Sequence, residues 1–164
     1  MTILIKNKHT LQIDEFKFKC CIGKKGLTKY KKEGDKKTPI GTFEIENLYF
    51  RQDRIKKPYT PLKCIKIKKD MGWCDDIRFP KKYNKLFKIN KKIKHEKLKR
   101  LDYKYDLLIP IKYNFKKPIT GLGSCIFIHL TKNYKPTAGC IAIKEKDYLI
   151  MLKLIKKNTK IKIY

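Results

Sequence analysis

The sequence predicts one mainly β domain, a β-rich α+β fold that spans residues 1–164. Apolar residues recur at nearly every second position in several short runs, and Gly, Pro and Asp separate these runs, as is typical of strands and turns. A chain of 164 residues is also of single-domain size, and no linker or internal repeat divides it. The individual elements follow from the same patterns.

Four alternating runs occupy the first half of the chain. Strands are predicted in TILIKN from Thr2, FKFKCCI from Phe16, TFEIENLYF from Thr42 and LKCIKIKK from Leu62. A loop separates the second and third runs, with a turn at Gly34 and Asp35 and a rigid extended segment over 38–41. This loop therefore leads directly into the third predicted strand.

The second half begins with a stretch of weak periodicity. Residues 69–106 are expected to form a long loop that contains one short helix, from Glu96 to Arg100. Strands resume in YDLLIPI, SCIFIHL and AGCIAI. Apolar residues then recur at helical spacing, at Tyr148, Met151, Leu152 and Ile155. We predict a C-terminal helix near 146–156 and a closing strand in TKIKIY.

The chain is strongly basic, with 43 Lys and Arg against 15 Asp and Glu and a net charge of +28. This charge, together with ten tyrosines and eight phenylalanines, makes a nucleic-acid-binding module one alternative function. Only four basic residues are arginines, however, although guanidinium groups are favoured in the recognition of phosphates and base edges. Because the lysines are spread along the whole chain, we interpret the charge as coding bias and expect no nucleic-acid partner.

Small residues surround one cysteine near the C-terminal end. The only two alanines of the chain, Ala138 and Ala142, flank Cys140, which follows Gly139. Since alanine occurs nowhere else in the chain, small residues at these two positions suggest that substrate or backbone approaches Cys140 closely. A tightly packed strand end would also explain them. His129 ends an apolar run eleven positions earlier. Neighbouring strands could bring imidazole and thiol together and lower the thiol pKa, while backbone N–H groups near Gly139 stabilise an oxyanion.

Two segments resemble motifs of the YkuD-type L,D-transpeptidases. IFIHLTKNYKPTAGCIAI is similar to the catalytic motif, in which a histidine precedes a Ser/Thr-x-Gly-Cys signature, and GDKKTPIGTFEI resembles the family's Gly-Asp-x-x-Thr-Pro-x-Gly-x-Phe motif. The resemblance extends from about Lys24 to about Ile155 and implies a β-sandwich or barrel domain. The chain departs from the family motif at Ala138 and Ala142, where the family has polar residues.

The resemblance also implies roles for individual residues. By position, Cys140 is the nucleophile and His129 is its base. Thr137, Ala138 and Gly139 lie where the family positions the substrate or the oxyanion. The thiol would attack the carbonyl that precedes the terminal D-alanine of a peptidoglycan stem peptide, form a thioester and release D-alanine.

The resemblance leaves the acceptor open. An amine of a second stem peptide would make the protein a transpeptidase, and water would make it a carboxypeptidase. A further alternative is an inactive family member that only binds cell-wall peptides. No metal or organic cofactor is required, and we expect a monomer. The family acts in the periplasm or cell envelope, whereas the sequence contains no signal-peptide core and no apolar run of the roughly 20 residues that a membrane span needs.

The middle of the chain offers further candidates for the cleft. These candidates are Trp73, Asp75, Asp76 and Ser124. A metal site that combines Cys74 and the two aspartates with His95 is an alternative, but the spacing is not a zinc pattern. Ser124 lacks the Gly-x-Ser-x-Gly elbow of a serine hydrolase. The remaining cysteines show no C-x-x-C pattern, so we expect buried thiols.

Overall fold

The computed structural model describes residues 1–164 as fifteen strands and one helix. The strands are β1 (Thr2–Lys6), β2 (Thr10–Ile13), β3 (Phe16–Cys21), β4 (Leu27–Thr28), β5 (Thr38–Pro39), β6 (Gly41–Glu44), β7 (Leu48–Phe50), β8 (Cys64–Lys66), β9 (Met71–Cys74), β10 (Leu86–Lys88), β11 (His95–Lys97), β12 (Leu107–Pro110), β13 (Phe127–Leu130), β14 (Ile141–Ile143) and β15 (Lys160–Ile163). The helix α1 spans Glu145–Leu154.

Ten strands form one curled sheet in the order β6-β15-β1-β2-β3-β14-β13-β12-β7-β8. Most neighbours are antiparallel, but β1 runs parallel to β15, β13 to β14 and β7 to β8. Strands β10-β9-β11 form a separate antiparallel sheet, and β4 pairs with β5 in parallel. The predicted fold class, mainly β with a C-terminal helix and a closing strand, is confirmed.

The alternating runs were a reliable guide to the strands, and the weakly periodic middle was not. Every run contains at least one strand, and α1 lies where helical spacing predicted it. The predicted helix from Glu96 to Arg100 is wrong, because His95–Lys97 is β11 and pairs with β9. Each strand of this small sheet has only three or four residues, too few for a clear period of two. Their cross-strand pairing, which joins distant parts of the chain, overrides the local pattern.

Strands β12, β13 and β14 are buried on both faces, and the two faces meet different cores. Ile128 of β13 and Ile141 of β14 belong to a cluster of 24 buried residues, which also contains the inner face of α1. Phe127 and Cys140 belong to a second cluster of 8 residues around Trp73. Since side chains alternate along a strand, the strands separate the larger core from the face that carries Phe127, His129 and Cys140.

The helix α1 covers the larger core. Its buried residues are Tyr148, Met151 and Leu152, and Ile155 just beyond it is buried as well. The Tyr148 hydroxyl donates a 3.0 Å hydrogen bond to the carbonyl of Ile128 in β13. The helix therefore supports the strand that carries His129 from the side opposite the candidate site. No helix in the structure has the length and apolar character that would allow it to cross a bilayer.

Candidate active site

Adjacent parallel strands bring His129 and Cys140 to one face of the sheet. In the register of β13 and β14, Ile128 pairs with Ile141 and His129 pairs with Ala142. Cys140 directly precedes β14, so its side chain lies on the same face as Ala142, next to the end of β13. The structure thus places the imidazole and the thiol on one face of neighbouring strands, without a hydrogen bond between them.

Both residues line a cleft of about 590 Å³. The predicted site residues that line it are Cys140, His129, Thr137, Ala138, Ser124 and Asp75, whereas Gly139 does not line it; Ala142 lines it as well. Its charged side chains are Lys31, Lys36, Lys94, Lys104, Lys135 and Arg100 on the cationic side, and Glu33, Asp75 and Glu96 on the anionic side. The cleft is therefore polar and mixed in charge, with an excess of cations.

The Cys140 thiol is held by backbone groups. Its Sγ accepts a 3.4 Å hydrogen bond from the Phe127 N–H and donates to the Cys125 carbonyl at 3.1 Å. Cys140 is 7% exposed. Burial raises the pKa of the thiol to about 12, although the Phe127 N–H favours the thiolate. The free protein therefore holds a neutral thiol, contrary to the expectation that His129 would lower the thiol pKa.

His129 is a buried neutral imidazole. Its Nδ1–H donates a 2.9 Å hydrogen bond to the Leu130 carbonyl, which leaves Nε2 with a free lone pair. The Tyr105 ring packs edge-on against the imidazole, with the two ring centroids 5.4 Å apart. Burial lowers the pKa of His129 to about 4. The imidazole is thus available as a proton acceptor at neutral pH, but it makes no hydrogen bond to Cys140 in the free protein.

Two threonine hydroxyls shape the turn that precedes Cys140. Thr137 Oγ1 accepts a hydrogen bond from the Gly139 N–H at 3.1 Å and donates to the Cys140 carbonyl at 2.6 Å. Thr38 is fully buried; its Oγ1 donates to the Gly139 carbonyl at 2.8 Å and accepts from the Gly23 N–H at 2.9 Å. The segment that contains Thr38 therefore reaches across the fold and fixes the backbone next to the thiol.

Gly139 is required by geometry. Its φ is +146°, and a Cβ at this position would lie 3.0 Å from the Lys37 carbonyl oxygen, so a side chain would be strained and crowded. Because the Gly139 N–H is bonded to Thr137, it is not free to hold an oxyanion as expected. The Cys140 N–H makes no hydrogen bond within the chain. Of the two, the Cys140 N–H is the group left to donate to a ligand.

The GDKKTPIG loop organises one wall of the cleft through Asp35. Its carboxylate accepts hydrogen bonds from Lys31 Nζ at 2.5 Å, the Lys32 N–H at 2.9 Å and the Lys37 N–H at 2.8 Å. Burial opposes ionisation of Asp35, yet these contacts lower its pKa below the ordinary value. Lys31 is 5% exposed and packs against Gly123, where a Cβ would lie 2.8 Å from Lys31 Cγ. The loop thereby places one buried cation beside the cleft.

Of the four cleft candidates from the middle of the chain, two do not line the cleft. Trp73 is 2% exposed in the smaller core, and its Nε1–H donates to Asn84 Oδ1 at 3.0 Å. Asp76 forms an ion pair with Arg78 at 2.7 Å. The expectation for these two residues was wrong, because the Trp73 ring is buried in the smaller core and the Asp76 carboxylate is engaged by Arg78. Asp75 and Ser124 do line the cleft.

Ser124 takes part in a small polar network. Its Oγ donates to Glu33 Oε2 at 2.6 Å, and the hydroxyl of the buried Tyr83 donates to the same carboxylate oxygen. The Gly123 N–H donates to Tyr83 Oη at 3.1 Å. Ser124 therefore acts as a support for the Glu33 carboxylate, which accepts the proton of its hydroxyl.

The alternative metal site has no matching ligand set. Strand pairing places His95 opposite Cys74, but the His95 Nδ1–H donates to the Ile93 carbonyl at 2.6 Å. Asp75 pairs with Lys94 at 3.1 Å. The carboxylates are thus engaged by cations, and no group of three or more His, Cys, Asp or Glu side chains is placed to hold a metal ion.

The two alanines have different environments. Ala138 is exposed at the cleft, whereas Ala142 is fully buried opposite His129. Space for a substrate is therefore an explanation for Ala138, and close packing against the imidazole is the explanation for Ala142. The sequence pattern suggested a single cause for both alanines, whereas their burial differs, so space for a substrate stays a prediction for Ala138.

Several residues of the site were not identified from the sequence. Thr38 belongs to the recognised Gly-Asp-x-x-Thr-Pro motif, but its role at the site follows from its hydrogen bond to Gly139, 101 positions away. Tyr105 and Lys31 carry no recognisable pattern. Arg100 also lines the cleft, and the scarcity of arginine in this lysine-rich chain was a signal that could have singled it out.

The chain is similar to known proteins in sequence and in fold. The family model YkuD, L,D-transpeptidase catalytic domain, matches residues 1–163. The crystal structure of the helical cell shape determining protein Pgp2 from Campylobacter jejuni matches with a TM-score of 0.53 and 16% identity, covering 99% of this chain and 46% of that chain. A lysine-to-alanine mutant of Pgp2 matches with a TM-score of 0.51, 17% identity and the same coverage. The chain thus spans less than half of Pgp2, and the likeness shows the fold alone. A search of curated proteins finds no match.

Proposed function

The chain belongs to the YkuD family of L,D-transpeptidase catalytic domains, and we propose that it catalyses acyl transfer on peptidoglycan stem peptides through a Cys140 thioester. Family membership supports a function related to peptidoglycan. The observation that carries the proposal is that Cys140 and His129 line one cleft from adjacent parallel strands. The exposed Ala138 leaves room for a peptide at the thiol.

In the proposed reaction the thiol is activated during attack. His129 Nε2 accepts the thiol proton while Sγ forms a bond to the carbonyl carbon that precedes the terminal D-alanine, and the Cys140 N–H donates to the developing oxyanion. The tetrahedral intermediate then releases the amine of D-alanine, which receives the proton from His129, and a thioester remains. This order suits a pair whose members are both neutral in the free protein.

The second half of the reaction repeats the first in reverse. An amine of a second stem peptide, or water, attacks the thioester carbonyl, and His129 removes the proton from the attacking group. The amine would form a cross-link and water would release a shortened peptide. No step needs a metal or an organic cofactor. The proposed partner is therefore a peptidoglycan stem peptide, both as acyl donor and as acceptor.

Intact-protein mass spectrometry with a purified stem tetrapeptide tests the proposal. We expect a mass increase equal to the peptide less D-alanine, located on Cys140 after digestion. Cys125→Ala is the matched control, because Cys125 is the other cysteine that lines the cleft. This variant should still form the adduct, and Cys140→Ala should form none.

Added amine acceptor distinguishes the two reactions. A cross-linked product indicates transfer, and the shortened peptide alone indicates hydrolysis. If the protein binds the tetrapeptide but forms no adduct and releases no D-alanine, it is a binding protein and the proposed catalysis is wrong. A steep loss of single-stranded nucleic-acid affinity with added salt, without any peptide binding, would favour the nucleic-acid alternative.

A further inference from the structure

We propose that Arg100 binds the terminal carboxylate of the acyl donor and makes the enzyme selective for peptides that end in a free carboxylate. This inference rests on the proposed function and names a specificity-determining residue of the same cleft. Arg100 is the only one of the four arginines that lines the cleft. Its side chain is 31% exposed, so a ligand can reach it.

The guanidinium has one edge occupied and one edge open. Arg100 Nε and Nη2 donate to the two carboxylate oxygens of Asp102 at 2.9 and 2.7 Å. Nη1 lies 3.7 Å from Glu96 Oε2, beyond hydrogen-bonding distance. A guanidinium has five N–H donors, and Asp102 uses only the Nε/Nη2 edge. The edge formed by Nη1 and the second N–H of Nη2 can therefore hold another carboxylate.

The position of the guanidinium is fixed before a ligand binds. Its central carbon lies 4.9 Å from the centroid of the Tyr105 ring, which in turn packs against His129. The Arg100 carbonyl also accepts a 2.6 Å hydrogen bond from Arg51 Nη1. Because Asp102, Tyr105 and Arg51 hold the residue, little conformational entropy remains to be lost when a carboxylate binds.

The chemistry of the cleft selects the ligand. A planar guanidinium with a free edge recognises a carboxylate in bidentate fashion, and the donor peptide carries one on the D-alanine that leaves. The positive charge of Arg100 also lowers the pKa of both Cys140 and His129, so the guanidinium interacts electrostatically with both reacting groups. Glu96 Oε2 lies 3.7 Å from Nη1, beside this open edge, so an incoming carboxylate has to bind on the side of the edge away from Glu96.

Arg78 provides a matched control. It binds Asp76 with the same two-residue spacing and the same geometry, Nε to Oδ1 at 2.9 Å and Nη2 to Oδ2 at 2.7 Å, but it lies outside the cleft. Arg78→Met therefore removes an equivalent ion pair without touching the site. A purely structural role of Arg100 would make the two substitutions alike in their effect on donor selectivity.

The experiment compares two donors, the tetrapeptide with a free C-terminal carboxylate and the same peptide as a C-terminal carboxamide. We measure the rate of Cys140 acylation in a single turnover for the wild type, Arg100→Met, Arg100→Lys and Arg78→Met. The wild type and Arg78→Met should prefer the carboxylate by roughly 10- to 150-fold, the range for hydrogen bonds to a charged partner. Arg100→Met should show a ratio near one, and Arg100→Lys should lie between.

The outcomes separate this inference from the proposed function. If the wild type is acylated equally fast by both donors, or if Arg100→Met keeps the wild-type ratio, Arg100 does not bind the carboxylate, while the thioester chemistry stands. The wild-type ratio decides this even if Arg100→Met fails to fold. If no donor acylates the wild type, the proposed function fails, and the role of Arg100 fails with it.

Discussion

Replacing Thr38 with valine removes two buried hydrogen bonds and little volume. The Thr38 hydroxyl connects the Gly23 N–H at 2.9 Å and the Gly139 carbonyl at 2.8 Å, and Thr38, Gly23 and Gly139 are all buried. Each group left without a partner costs about 1–3 kcal/mol, so the free energy of unfolding should fall by at least about 2 kcal/mol. Because Gly139 precedes Cys140, acylation should slow as well.

Thr159→Val is the matched control for this substitution. Thr159 is 2% exposed, and its hydroxyl accepts one hydrogen bond, from the Lys156 N–H at 2.7 Å, far from the cleft in the strand order. Urea unfolding measures stability, and single-turnover mass spectrometry measures acylation. Thr38→Val should be the less stable variant and the only one with slowed acylation. A loss of stability for Thr38→Val below 0.5 kcal/mol, on the order of an ordinary surface substitution, would refute the reasoning.

Three further predictions concern the two reacting residues and their neighbours. Ala138→Leu should slow acylation with little change in Tm, because Ala138 is exposed at the cleft. Ala142→Leu should lower Tm, because it overpacks a buried position. Equal Tm losses in the two variants would contradict the assignment of Ala138 to the cleft. The unfolded chain protonates His129 below about pH 6.5, whereas the folded protein does so only below about pH 4. The free energy of unfolding should therefore decrease by about 3 kcal/mol as the pH is lowered from 6.5 to 4. In urea titrations, His129→Gln should remove this pH dependence. Iodoacetamide at neutral pH should label the partly exposed Cys64 before the buried Cys140; faster labelling of Cys140 would show that the thiolate is already present.

The fold was largely predictable because most strands of the ten-stranded sheet lie within alternating runs that are longer than the strands themselves. In β13, alternation alone predicts that Phe127 and His129 share one face, and the register with β14 then adds Ala142 to that face. The C-terminal helix was equally clear from its apolar spacing. The sheet of β9, β10 and β11 was missed, since short strands whose partners lie elsewhere in the chain leave no local pattern.

The sequence predicted the motifs of the candidate site, but it did not predict the burial, the pKa values and the partners of the side chains in that site. The Cys-His pair follows from the sequence because both residues sit at fixed places in recognisable motifs. The neutral thiol does not follow, because its pKa depends on how completely the folded chain excludes water from Cys140. Similarly, the exclusion of Trp73 and Asp76 from the cleft reflects their partners in the folded chain, Asn84 and Arg78.

The β class, the C-terminal helix and the two residues proposed for the chemistry could be predicted from the sequence, because periodicity and motif spacing are local properties. The hydrogen bond by which Thr38 holds the backbone before Cys140, and the position of Arg100 in the cleft, follow from the folded structure. These contacts join segments separated by up to 101 positions. Such segments come into contact, and their side chains become buried, only when the sheet has formed. A local sequence pattern therefore does not predict these contacts.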